Sequence, residues 1–546
     1  MTLKPVLQIE EMRVGLGPGA DRPFAVDGIS LQVQPGEVVC VVGESGSGKS
    51  MMAKSILRLL SQRLSERSSG RILFEDQDLL AAPEETMRRV RGNRIAMVFQ
   101  EPMVALNPLH RVGRQVEEIL EVHTDMSRRE RAARAVALFE DVRLPNPALI
   151  AQRYPHQLSG GQRQRVMIAM ALALEPALII ADEPTTALDV TTQAQILKLL
   201  RDLQRQHGTA VLFITHDFGV VAEIADRVVV MHHGRIVEQG AAAQVLTAPR
   251  EDYTRKLLAA VPSLAPKCAG AVDAADKAQA QPILAVQGLI KTYGGGVGLF
   301  GKPKPGVQAV RSVDFSIPRG GTVALVGESG SGKSTVARCI MGLEQPDAGR
   351  IMLDETDLAS LRPRAWGPVR REVQMIFQDP FASLNPRMKV VDIVGLGPRL
   401  AGVSAEEARA TAEELMELVG LRRDAVDRYP HAFSGGQRQR IGIARALAMK
   451  PKLIVADEPV SALDVSVQRQ VLDLLAELRR SLSLSILFIT HDLRVAADVC
   501  EDIVVMCRGE VVERGATEQV FRAPAHPYTR SLLDSVPGRS SVLGMA

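Results

Sequence analysis

The stretch "VVGESGSGKSMM" spans residues 41 to 52, and it returns as "LVGESGSGKSTV" at residues 325 to 336. An apolar run leads into G-x-x-x-x-G-K-[ST] in each copy, which predicts a strand, a glycine-rich loop and then a helix. Gly43, Ser45, Gly46 and Gly48, with Gly327, Ser329, Gly330 and Gly332 in the second copy, let backbone N–H groups curl around phosphate oxygens in front of a helix N-terminus. Lys49 and Lys333 are placed to reach β- and γ-phosphates, and Ser50 and Ser334 to ligate Mg²⁺. The next residue differs: Met51 in one copy, Thr335 in the other. A single glycine-rich turn can imitate this pattern by chance; two in register do not.

The repeat extends outward from the loops. Gly43 and Gly327 are 284 positions apart, and "AVDGIS" (25–30) matches "AVRSVD" (309–314) at the same offset. "MVFQEPMVALNP" (97–108) matches "MIFQDPFASLNP" (375–386) at an offset of 278. From "SGGQRQR" (159–165 and 434–440) to "DYTRKLLAAVP" and "PYTRSLLDSVP" (252–262 and 527–537) the offset stays at 275, so about 105 residues align without a gap. A period this long is a duplicated domain and not a solenoid. The expected organisation is a first domain at 1–262, a flexible linker at 263–282, rich in Ala, Gln and Pro, and a second domain at 283–546.

Composition narrows the class. Of 546 residues, 46% are hydrophobic and 24% charged, with a formal net charge of +3, which provides no basic field for nucleic acid. Five scattered cysteines without a CxxC pair fit a reducing compartment and predict no disulfide framework, zinc site or iron–sulfur centre; Cys268 stands alone. The start, "MTLKPVLQIEEMRV", has no signal-peptide character, and no window approaches 18 uninterrupted apolar residues, so no transmembrane segment is expected.

"GEVVCVVGE", "ALIIADE" and "AVLFITHD" look like buried parallel strands. Between Gln100 and Ser159, "VGRQVEEILEVH" and "RRERAARAVALFEDV" look like amphipathic helices. Each half is therefore expected to be an α/β core with an inserted helical subdomain. "LIIADEP" and "LIVADEP" end apolar strands in Asp182–Glu183 and Asp457–Glu458. Strand geometry is expected to send the two acids to opposite sides, one to the Mg²⁺ shell and one to the attacking water. Alone, such a pair is more often a helix cap; beside a phosphate loop in both halves it is not. Ser159-Gly160-Gly161-Gln162 and Ser434-Gly435-Gly436-Gln437 each precede a helical run, as good caps or as a second anion site where a hydroxyl and glycine amides face a phosphate. His216 and His491 follow strands in two copies of "FITHD", and their repetition favours contact with a γ-phosphate.

Together these residues resemble the ATP-binding cassette superfamily, in two tandem copies covering nearly the whole chain. The resemblance implies ATP and Mg²⁺ as cofactors. It implies Gln100 and Gln378 as Q-loop residues that serve both metal and catalysis, Glu183 and Glu458 with His216 and His491 as catalytic, and Asp182 and Asp457 as metal residues. Ala187-Leu188-Asp189 and Ala462-Leu463-Asp464 match the D-loop. In that family two cassettes close head to tail, the cradle of one facing the signature of the other. A tether between them raises their effective concentration to roughly millimolar.

A narrower likeness adds a substrate class. "FQDPFASLNP" and "HPYTRSLL" (526–533) resemble the ATPase subunits of bacterial oligopeptide, dipeptide and nickel importers. That family uses two ATPases, one with GKST and one with a non-hydroxyl residue after GKS, so Met51 and Thr335 resemble a fusion of two paralogous subunits. It implies two integral-membrane permease subunits and an extracytoplasmic solute-binding protein as partners, and a peripheral position on the cytoplasmic face of the bacterial inner membrane. Peptides, nickel chelates, glutathione and peptide antibiotics all remain open as cargo. Tyr293 is the expected adenine-stacking aromatic of the second half; Leu16 stands there in the first, with Phe24 nearby. Glu251-Asp252-Tyr253 replaces "HPY" in the first half and weakens the tail match there. A soluble tandem cassette acting on ribosomes is the alternative, disfavoured by a short linker of no net charge and the "TTALDV" and "VSALDV" motifs; a DNA-repair cassette would carry zinc modules or long coiled coils.

Overall fold

A computed structural model of the chain describes residues 4–539 except 18, 20, 186–187, 266–280, 295, 298–302, 305, 380 and 462. Most of the expected linker, with Cys268, therefore lies outside the described residues, as do Ala187 and Ala462. The chain divides into two compact units, one made of Met1–Val261 with Pro537–Ala546 and the other of Pro262–Val536.

In the first unit the loop strand, Val38–Val42, is apolar and buried at every position. It lies inside a sheet of order Arg235–Ala241, Arg227–His232, Val38–Val42, Ala210–Ile214, Leu178–Asp182, Ile95–Val98. All neighbours pair in parallel except the first two strands. Strands covered on both faces have no need to alternate polar and apolar residues, which is why this one is a continuous Val/Cys run. Its pleat still sorts the side chains. Val38, Cys40 and Val42 join a core shared with the helical insertion, including Val116, Leu120 and Phe139. Val39 and Val41 join the other core, beneath a four-stranded antiparallel sheet formed around Leu7–Gly15.

The insertion runs between the strands Ile95–Val98 and Leu178–Asp182, with helices Val112–His123, Arg128–Asp141 and Pro147–Ala151 ahead of the signature helix Gly160–Leu172. Ser127 and Glu130 form a reciprocal capping box that starts the helix Arg128–Asp141. The second unit repeats the plan. Its six-stranded sheet has the order Val373–Ile376, Leu453–Asp457, Ser485–Thr490, Thr322–Val326, Asp502–Cys507, Glu510–Ala516, with Ser404 and Glu407 capping the helix Ala405–Leu418 of its insertion. Among the described residues, no helix is long and apolar enough to cross a membrane.

Parallel strands end on the same side. Gly43 follows Val42, Glu183 follows Asp182, Gln100 follows Val98 by two residues and His216 follows Ile214 by two. The fold thus gathers these residues at the carboxyl edge of the sheet, where open α/β sheets bind ligands.

Candidate functional site

The glycine loop is shaped by contacts that exclude side chains. Gly43 has φ +148°, and a Cβ there would lie 2.2 Å from the Met231 carbonyl oxygen. Gly48 has φ +105°, with the Ala25 oxygen 2.4 Å from where a Cβ would be. Lys49 is buried and its Nζ donates to the carbonyls of Gly43 (2.7 Å) and Glu44 (2.8 Å) and to Ser47 Oγ (3.3 Å). The second loop matches closely: Gly327 and Gly332 have φ +151° and +105°, and Lys333 Nζ donates to Gly327 O (2.7 Å) and Glu328 O (2.8 Å).

The acids sit beside the loop. Ser50 Oγ donates to Asp182 Oδ1 at 2.8 Å, and Ser334 Oγ to Asp457 Oδ1 at 3.5 Å. Burial above all pushes both aspartyl carboxyls above the usual carboxylate range, against the hydrogen bond from each serine. The serine hydroxyl and the buried carboxylate beside it are oxygen donors of the kind Mg²⁺ prefers, and a buried carboxylate gains most from a cation. The residues fit that ion.

Glu183 is bracketed. Gln100 Nε2 donates to its Oε2 at 2.9 Å, and His216 Nδ1 lies 3.3 Å from its Oε1. Gln378, Glu458 and His491 repeat this at 2.8 and 3.2 Å. Burial, the largest single influence, would raise the Glu458 carboxyl. The hydrogen bond and charge of His491, the Lys333 charge and Ser461 outweigh it and hold the carboxyl below the usual range. Burial would likewise lower His491, but its bond to and charge from Glu458 raise it. Each partner thus favours the charged form of the other.

One expectation is corrected here. The pleat does not separate the two acids, because the strand ends at Asp182. Glu183 has φ +47°, as does Glu458, and their N–H groups donate to Ile214 O (3.0 Å) and Ile489 O (2.9 Å). A left-handed turn, and not strand alternation, aims the glutamates at their partners.

Other predicted residues lie elsewhere. Ser159 and Gln162 form a reciprocal capping box, as do Ser434 and Gln437, so the glutamine side chains serve the helix start. Each serine oxygen accepts from its helix, which leaves its O–H to donate. Gly161 is required by packing: a Cβ would fall 2.6 Å from Thr192 Cγ2, and at Gly436 one would fall 2.2 Å from Val467 Cγ1. The signature helix thereby rests on the helix that follows the D-loop. Asp189 caps that helix by accepting from Thr192 N (2.9 Å); Asp464 sits at the same N-cap without that bond. The first unit also lacks features the second has. Leu16 and Met51 pack against the apolar core, whereas Tyr293 ends its strand beneath the Lys291 ammonium, 5.5 Å from the ring centroid.

Two contacts were not anticipated. Glu44 N donates to the Tyr253 hydroxyl at 3.3 Å, and Glu328 N to the Tyr528 hydroxyl at 3.2 Å. The repeated "YTR-LL" motif carried the signal, but nothing in its spacing pointed at a loop about 200 residues earlier.

Residues 26–186 and 310–461 match the ABC transporter family. The chain belongs to it. Residues 237–285 and 512–541 match the oligopeptide/dipeptide transporter C-terminal region, so the tail is present in both halves despite Glu251-Asp252 in the first. The peptidoglycan transport ATP-binding protein YejF of Agrobacterium fabrum is 47% identical over 97% of this chain and 96% of its own length. The glutathione import ATP-binding protein GsiA of Salmonella typhimurium is 44% identical over 98% of this chain and 90% of its own. A solved dimeric, post-hydrolysis ATP-binding cassette bound to ADP and Pi aligns with 43% of this chain and 98% of its own, at 30% identity and a TM-score of 0.39. Each half carries one of the two family matches, and each is an ATP-binding cassette.

Proposed function

We propose that the chain is the energy-coupling ATPase of an importer for peptides or related small solutes, docked peripherally on two membrane permeases fed by a solute-binding protein. The observation that carries this reading is the oligopeptide/dipeptide transporter C-terminal region present behind both cassettes. YejF, named for peptidoglycan transport, and GsiA, named for glutathione import, align with nearly its full length. The ribosome-acting alternative has no observation in its favour.

The chemistry follows from the site. ATP enters with its phosphates against the loop amides, and Lys49 or Lys333 keeps its bond to the Gly43 or Gly327 carbonyl while its other N–H groups turn to the β- and γ-oxygens. Water attacks the γ-phosphorus, the bond to the β-bridging oxygen breaks, and Glu183 or Glu458 orients the water and takes its proton. Gln100 with His216, or Gln378 with His491, holds that carboxylate in place. Mg²⁺ held by Ser50, Gln100 and Asp182, or by Ser334, Gln378 and Asp457, would neutralise charge on the phosphate oxygens.

The helical segments 101–157 and 379–432 are the expected permease-docking elements. In the second unit a groove of about 360 Å³ lies between the insertion helix Val390–Leu400 and the helix Trp366–Glu372, with Ile393, Leu396, Leu400 and Met449 in its lining and Arg370 and Arg371 beside them. Leu400 is 80% exposed. An apolar permease loop with an acidic end fits this surface. Replacing Leu396 and Leu400 together by Ala should weaken permease-stimulated ATP turnover by about thirtyfold or more and leave turnover of the isolated chain unchanged, since interface anchors are worth roughly 1–2 kcal/mol each. Uptake of a labelled peptide by reconstituted permeases tests the function. A complex assembled with its binding protein that transports no peptide would remove the reading.

The two sites are expected to differ. Stacking on an aromatic is worth roughly 1 kcal/mol, and a hydrogen bond to a charged phosphate about 1.5–3 kcal/mol. Leu16 and Met51 offer neither, although the residue 51 amide still binds and Phe24 can fold over the base. The site on Lys49 should therefore bind ATP about tenfold more weakly than the site on Lys333. Titrating the Lys333→Ala and Lys49→Ala variants, each reporting on the site left intact, checks this; equal affinities would refute it.

A further inference from the structure

The Gly43 carbonyl and the Glu44 N–H belong to one peptide unit. Lys49 Nζ donates to its oxygen at 2.7 Å, while its N–H donates to the Tyr253 hydroxyl at 3.3 Å. The second unit clamps the Gly327–Glu328 peptide the same way, between Lys333 (2.7 Å) and Tyr528 (3.2 Å). The tyrosines are themselves held. Glu238 accepts from the N–H groups of Arg250 (2.8 Å) and Glu251 (3.2 Å), just ahead of the helix Asp252–Ala260 that carries Tyr253. Glu513 accepts from Ala525 N (2.7 Å) and His526 N (3.1 Å), ahead of the helix Pro527–Asp534. The first unit adds a stack of Tyr253 on His232, with ring centroids 3.9 Å apart.

The loop side chains around this peptide differ little, but the helix starts differ between the units, Glu251-Asp252 against His526-Pro527. The tyrosine-to-peptide bond persists through that change. A hydroxyl accepting the N–H polarises the peptide and strengthens its carbonyl as an acceptor for the lysine. It also fixes the rotation of a peptide that Gly43, with φ +148°, would otherwise leave free to turn.

We propose that Tyr253 and Tyr528 are positioning residues of the two ATP sites: each sets its P-loop lysine for the β- and γ-phosphates through the peptide they share. This rests on the loops binding ATP. The test is Tyr253→Phe in a full-length Lys333→Ala chain, and Tyr528→Phe in a Lys49→Ala chain; phenylalanine keeps the ring and its packing. ATP affinity should fall about three- to tenfold, the range of one hydrogen bond, and AMP affinity, measured by competition, should not change. A purely structural tyrosine would lower the melting temperature and leave the ATP-to-AMP affinity ratio alone; that result overturns the proposal. A parent chain that binds no ATP would instead overturn the reading on which it rests.

Discussion

Glu183→Gln or Glu458→Gln is expected to slow ATP turnover at its own site by about 10²–10⁴ and to leave ATP bound there as tightly as before, because a positioned base contributes that much to the reaction and little to ground-state binding. Glutamine keeps the volume of the side chain and can still accept from Gln100 or Gln378. What it loses is the charge that meets His491 in the second unit and the capacity to take a proton from water. Both halves carry the full grouping of lysine, glutamine, glutamate and histidine, so neither site is expected to be a passive nucleotide holder. Steady-state hydrolysis and ATP binding on the same preparation check the prediction. A single variant that hydrolyses at the wild-type rate would show its site to be regulatory.

Gly43→Ala and Gly327→Ala should each weaken ATP binding at their own loop by on the order of a hundredfold, since strained backbone and core overpacking each cost roughly 1–3 kcal/mol. The clash is with backbone: the Met231 and Met506 oxygens lie 2.2 Å from the added carbon, and neither can rotate away as a side chain would. Gly46→Ala provides the contrast. Its φ is +75°, but nothing lies within 4 Å of a Cβ there, so only the left-handed conformation is penalised and a much smaller loss is expected. Nucleotide titration in the Lys333→Ala and Lys49→Ala backgrounds measures each loop separately. Equal losses at Gly43 and Gly46 would show that conformation, and not crowding, governs the loop.

The elements that were legible in the amino-acid pattern are those governed by local chemistry. The run of Val38–Val42 into glycine announces a buried strand and loop, "RRERAARAVALFEDV" announces a helix of the insertion, and both are found. Ser159 with Gln162 shows the limit: the capping reading describes the glutamine, while the need for Gly161 comes from Thr192, thirty-one residues away and invisible to any local rule. The convergence of Gln100, Glu183 and His216 depends on strand order, which places three separate strand ends side by side. The tyrosines at 253 and 528 were evident as a repeat but not as loop contacts, because only the folded tail carries them there. The direction of Glu183 was read from strand periodicity, which fails one residue past the strand end.

That turn has a consequence for how such a chain can evolve. Glutamate is a poor resident of the left-handed region, where glycine or asparagine would be at ease, yet both halves place one there at φ +47°. Selection for thermal robustness alone would drift both positions toward glycine, giving a sturdier protein with dead chemistry. Glu11, Glu75 and Glu175 share that conformation without a part in the chemistry, so what sets Glu183 and Glu458 apart is that turnover selects the carboxylate itself. A lineage that kept the second cassette working and let the first become a scaffold would be expected to show it at residue 183 before the surrounding core changed.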